Sequence, residues 1–151
     1  QLERVITIFP WIATIDKFQH WVYENPNHSV EQRLEKWMEI LNEFSSGVIN
    51  FQGLEEYRKY AWQRQLHLFE VPLYYIEYGI AQLGAIGLWK QFRENKAAAL
   101  NNYMMSLQLG GTKTLPELYS AAGLVFNFSP DYIKQLMQFV KEEMDKLNVH
   151  P

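Results

Sequence analysis

The residues best suited to chemistry lie close together in the sequence. His67 precedes the run Val71 to Trp89, which carries Tyr74, Tyr75 and Tyr78 with Glu77 among them. Phenol and imidazole groups keep their hydrogen-bonding capacity at neutral pH. Such a cluster suits two roles. It can be a buried polar network that fixes helix packing. It can also be the wall of a cleft, with phenols donating to a substrate or to a developing oxyanion. Arg64, just ahead of His67, could reach a substrate carboxylate. It also fits the solvated polar face formed with Glu55, Glu56, Arg58, Lys59 and Gln63.

A second group, His20, Glu24 and His28, has the i, i+4 spacing of a metal site. Pro26 ends the helix before His28, so the three need not converge, and no metal ligand is expected here. The remaining histidine is His150. Cysteine is absent, which excludes disulfides, thiol nucleophiles and Cys-ligated zinc. The net charge of -3 comes without a basic patch, so nucleic acid is not an expected partner. Aromatic residues make up 15% of the chain, enough to predict a core or an interface anchored by rings.

The elements that must position these groups are helices. The hydrophobic spacing predicts seven segments: 1–24, 29–44, 54–68, 72–95, 96–109, 114–123 and 129–147. Pro10 predicts a kink or break in the first. Ser29 with Gln32, and Thr114 with Glu117, have capping-box spacing. Leu34, Trp37, Met38 and Leu41 define the apolar face of the second segment. Leu136, Phe139, Val140, Met144 and Leu147 define that of the last, whose charged residues, Glu143 included, are expected on the solvent side. Val48 to Phe51 is expected to cross over in extended form, and Gly110-Gly111 to stop the fifth segment.

Val71 to Trp89 is apolar nearly all round, the pattern of a central buried helix or a membrane span. Glu77 and Gln82 would be costly in hydrocarbon, so a membrane span is not expected. Gly79, Ala81, Gly84, Ala85 and Gly87 would let neighbouring helices approach closely. The whole is expected to be all-α, with residues 1–151 forming a single helical domain or part of one.

Three blocks resemble the oligoendopeptidase F group, relatives of thimet oligopeptidase. They are Phe9 to Trp21 (FPWIATIDKFQHW), Arg64 to Trp89 (RQLHLFEVPLYYIEYGIAQLGAIGLW) and Gly110 to Leu118 (GGTKTLPEL). The resemblance implies the multi-helix C-terminal portion of a two-lobed helical zinc metallopeptidase that cleaves short peptides. In that family the zinc site is a His-Glu-x-x-His helix with a later Glu. This chain contains no His-Glu-x-x-His. The resemblance therefore implies zinc in the intact enzyme, none bound by this chain alone, and a partner N-terminal segment that carries the metal. It also implies that a His and Tyr cluster faces the peptide and stabilises the tetrahedral intermediate: His67 in the His role, Tyr75 and Tyr78 first among the tyrosines, and Tyr74 as the alternative that binds substrate. Arg64 as a substrate-binding group rests on its place near His67 alone.

A neutral imidazole or a phenol can donate to an oxyanion, but neither generates hydroxide from unaided water at a useful rate. The isolated chain is thus expected to lack peptidase activity. The alternative is a non-catalytic helical binding domain or a degenerate relative. The opening Gln1 to Ile6 has the pattern of an amphipathic helix, not of a signal peptide, and there is no initiator Met. These features lead to the expectation of a cytoplasmic protein whose front is missing. Apolar surface exposed by that loss is expected to favour self-association.

Overall fold

The computed structural model describes residues 2–147. Gln1 and 148–151, His150 among them, lie outside the described residues. Among the described residues there are eight α-helices, one 3₁₀ turn and no strand. The helices are α1 (Leu2–Glu24), α2 (Val30–Glu43), α3 (Glu55–Lys59), α4 (His67–Glu70), α5 (Ile76–Glu94), α6 (Lys96–Leu109), α7 (Leu115–Ala121) and α8 (Pro130–Leu147). The 3₁₀ turn is Ala61–Arg64. The expected all-α class is what is found. The chain divides into two compact units, residues 1–79 and 80–151.

In the first unit, α1 runs through Pro10 without ending, so the expected interruption is at most local. Pro10 falls beyond the first turn, where its missing N–H leaves one carbonyl without its helical donor, and flanking residues keep the helix together. Packing of its apolar face outweighs that loss. Ile15 and Phe18 of α1 are buried against Trp37 and Ile40 of α2 and Trp62 of the 3₁₀ turn. Phe18 meets Trp37 edge-on at 5.1 Å, and Trp11 meets Trp37 in the same manner at 5.8 Å. These are the preferred geometries of ring quadrupoles. The buried indole of Trp37 also donates to the Arg58 carbonyl at 2.8 Å, so a polar tip inside the core is satisfied.

Ser29 caps α2 as predicted. Its hydroxyl accepts from the Gln32 amide, and the Gln32 side chain accepts from the Ser29 amide. The predicted helix over 54–68 is instead three short pieces, α3, the 3₁₀ turn and the start of α4. Polar residues on every face leave it no apolar stripe, and the burial of Trp62 decides the local path.

In the second unit, glycines set the closeness of packing, as expected. A Cβ on Gly84 would lie 2.6 Å from the Tyr119 hydroxyl, which itself donates to the Ile80 carbonyl at 2.8 Å. A Cβ on Gly87 would lie 2.9 Å from Leu124. The helix α8 buries Leu136 and Val140, while Leu147 is exposed, against expectation, at the helix end. Glu143 corrects the reading of that helix further. It shares the buried face with Val140, and its carboxylate pairs with Arg93 at 3.0 Å and with Lys146 at 2.5 Å. Its pKa is lowered first by the Lys146 hydrogen bond. Pairing of this kind is what lets a carboxylate occupy such a position.

Thr114 donates from both its amide and its hydroxyl to the Glu117 carboxylate at the start of α7. Gly110, with φ of 53°, ends α6 in the left-handed region that glycine accepts at no steric cost. Leu100, Tyr103, Met104, Met105 and Leu107 of α6 are exposed, so this helix carries apolar side chains on several faces. No helix among the described residues is long and apolar enough to cross a membrane.

Candidate functional site

The site lies wholly in the first unit and is built by a turn that the sequence pattern did not reveal. The predicted helix from residue 72 starts at Ile76 instead. Pro72 has no amide to donate and disfavours a helical Val71. Leu73 then adopts φ of 56°, rare for a residue with a branched side chain. Its amide donates to Gln19 Oε1 at 3.0 Å. Gln19 is 3% exposed, and its Nε2 donates to the Leu68 carbonyl at 3.4 Å and to the Tyr23 hydroxyl at 3.2 Å. One buried amide on α1 therefore holds both sides of the turn. Tyr74 and Tyr75 lie on that turn, and only Tyr78 lies on α5.

This turn folds the tyrosines around the imidazole. The His67 ring is nearly parallel to Tyr74 at 6.1 Å, edge-on to Tyr75 at 5.1 Å and edge-on to Tyr78 at 5.5 Å. His67 Nε2 lies 3.0 Å from the Tyr78 hydroxyl. Its Nδ1 lies 2.6 Å from Gln65 Nε2, and Gln65 Oε1 accepts from the Trp11 indole at 3.1 Å. Tyr75 is half-buried, and burial pushes its phenol above the usual tyrosine range. The indole N–H of Trp11 nearby opposes that shift, and the neighbouring Tyr78 adds to it. Tyr74 and Tyr78 are 46% and 39% exposed, so the cluster presents an open face.

Four of the five predicted site residues, His67, Tyr74, Tyr75 and Tyr78, are thus brought together. Arg64 ends the 3₁₀ turn, is exposed, and has no ion-pair partner among the described residues. Glu77, weighed as a buried group in need of a partner, is exposed. Sequence reasoning missed Trp11, Gln19 and Gln65. The available signal for Gln19 was an amide side chain next to the core aromatic Phe18 on the apolar face of α1.

The second histidine group does not converge. His20 lies 3.7 Å from Asp16. His28 Nε2 accepts from Arg33 Nε at 2.7 Å, and its Nδ1 meets the Asn25 carbonyl. Among the described residues no group of three or more His, Asp or Glu side chains could hold a metal ion. The donor sets present do not fit zinc.

This helical chain has counterparts among solved structures. The chain is similar to a crystal structure of an oligoendopeptidase F, with a TM-score of 0.81 and 30% identity over 95% of this chain. It is also similar to PZ peptidase A, solved with an inhibitor, with a TM-score of 0.82 and 31% identity over 96% of this chain. The chain spans about a quarter of each, 26% of their length. No family model matches the chain, and no curated protein matches it. The resemblance carried by the three sequence blocks is borne out: the fold is that of part of the oligoendopeptidase F and PZ peptidase A structures.

Proposed function

We propose that this chain is the C-terminal, substrate-facing part of a zinc metalloendopeptidase that hydrolyses short peptides. The observation that carries the reading is the hydrogen bond between His67 and the half-exposed Tyr78, set within a ring of further phenols. A peptide carbonyl becomes an oxyanion as the tetrahedral intermediate forms. Preorganised neutral donors stabilise that charge without reorganisation. Tyr78 supplies the donor and His67 orients it, Tyr75 completes the cluster, Tyr74 offers a ring face to the peptide, and Arg64 takes its terminal carboxylate. None of these groups can raise a nucleophile from water. The reading therefore assigns zinc and its ligands to another segment, with which this chain pairs.

Titration of the chain with short peptides, followed by NMR of the His67 and tyrosine ring signals, tests this. Shifts confined to the cluster, and needing up to about tenfold more peptide in Tyr78→Phe, are expected. Ring signals that stay unmoved at millimolar peptide would overturn it. A quenched fluorescent peptide with added zinc should not be turned over by the chain alone.

The exposed apolar side chains of α6 favour a second reading, a non-catalytic helical binding domain. On that reading, peptides leave the His67 cluster untouched, and self-association or partner binding is lost when Leu100 and Met104 become polar.

A further inference from the structure

We infer that Trp11 and Gln65 are positioning residues that fix the tautomer of His67, and thereby make Tyr78 present a hydroxyl proton outward. An indole N–H can only donate. It meets the Gln65 side chain at 3.1 Å, so the amide oxygen must face Trp11. A flipped amide would set two donors against each other. The Gln65 NH₂ group is then the end that faces His67 Nδ1, at 2.6 Å.

The imidazole has to answer with a lone pair at Nδ1. In a neutral ring the proton then resides on Nε2. Nε2–H points at the Tyr78 oxygen, 3.0 Å away, and that oxygen accepts. The phenolic proton is left to turn away from His67, toward the exposed side of a residue that is 39% accessible. With the opposite tautomer, Tyr78 would donate inward to Nε2 and show only lone pairs outward. Gln65 therefore decides whether this face donates or accepts. The other groups facing His67 are the rings of Tyr74, Tyr75 and Tyr78, and among the described residues it has no ion-pair partner.

The value of this polarity rests on the proposed peptide-facing role, since an oxyanion or carbonyl needs a donor. The relay itself is tested independently, by ¹⁵N NMR of the imidazole nitrogens of the full chain, with His67 assigned by its loss in His67→Gln. A protonated Nε2 and an unprotonated Nδ1 are expected at neutral pH. In Gln65→Glu the carboxylate accepts from Nδ1–H. The proton moves to Nδ1, and Nε2 keeps the lone pair. Trp11→Phe frees the amide to flip and gives a mixture of tautomers.

A protonated Nδ1 in the unaltered chain would overturn the inference, as would an identical ring state in a folded Gln65→Glu chain. Should Gln65→Glu fail to fold, the unaltered chain alone still decides. An Nε2–H ring without peptide binding would sink the proposed function and leave the relay standing.

Discussion

The imidazole of His67, at the start of a four-residue helix, and the phenol of Tyr78, in the first turn of α5, are joined by a 3.0 Å hydrogen bond across a turn that excludes helix. Removing the phenol oxygen should leave the fold intact, because Tyr78 is half-exposed. Tyr78→Phe is expected to weaken peptide binding by up to about tenfold, the worth of one net hydrogen bond. In an enzyme completed by a zinc-bearing segment it should lower kcat by about 10²–10³-fold, with KM raised by no more than that tenfold. Unchanged kcat would remove Tyr78 from the oxyanion role.

Gln19 holds the turn that makes this meeting possible. Gln19→Leu keeps the volume and removes the amide, leaving the Leu73 N–H without its acceptor. A loss of about 1–3 kcal/mol in urea unfolding is expected. Limited proteolysis should also speed up between residues 71 and 75 while cleavage elsewhere stays constant.

Two glycines of α5 should respond in opposite directions to alanine. A Cβ on Gly79 meets Ile12 at an ordinary 3.4 Å, so Gly79→Ala should gain up to about 1 kcal/mol from helix propensity. A Cβ on Gly84 collides with the Tyr119 hydroxyl and ring, so Gly84→Ala should lose about 1–3 kcal/mol from overpacking, offset in part by the same propensity. Equal effects in thermal or urea unfolding would contradict the packing described.

Tyr75 should leave a mark on alkaline stability. Its pKa is raised in the folded chain, first by burial, so the folded state holds a proton that the unfolded state releases. The corresponding stability is fully present below the ordinary tyrosine value of 10.0 and is lost as pH rises through the higher folded value. Stability followed from pH 9 to pH 12 should decline less steeply in Tyr75→Phe than in the unaltered chain.

The helical class, the ends of most helices and the ring-rich core were legible, because they depend on local spacing and capping chemistry. Ser29 with Gln32 behaves as its spacing requires. The failures share a cause in long-range contacts. The start of α5 was displaced because Leu73 takes a left-handed conformation that a partner far away in sequence stabilises. Glu143 was assigned to solvent because its partner Arg93 lies on another helix. Four members of the candidate site were identifiable by type and proximity, whereas Trp11, Gln19 and Gln65 act through partners that local periodicity does not encode.

The two α1 side chains that reach this site, Trp11 and Gln19, stand eight residues apart, about 12 Å along the helix axis at a rise of about 1.5 Å per residue. One engages Gln65 on the near side of His67, and the other engages Leu73 on the far side. The first helix thus works as a ruler whose graduations are helical turns. A single residue inserted or deleted between the two positions would swing one of them by about 100° about the axis. No compensating change in the turn could restore both, so the number of residues between Trp11 and Gln19 should be fixed even where their identities drift.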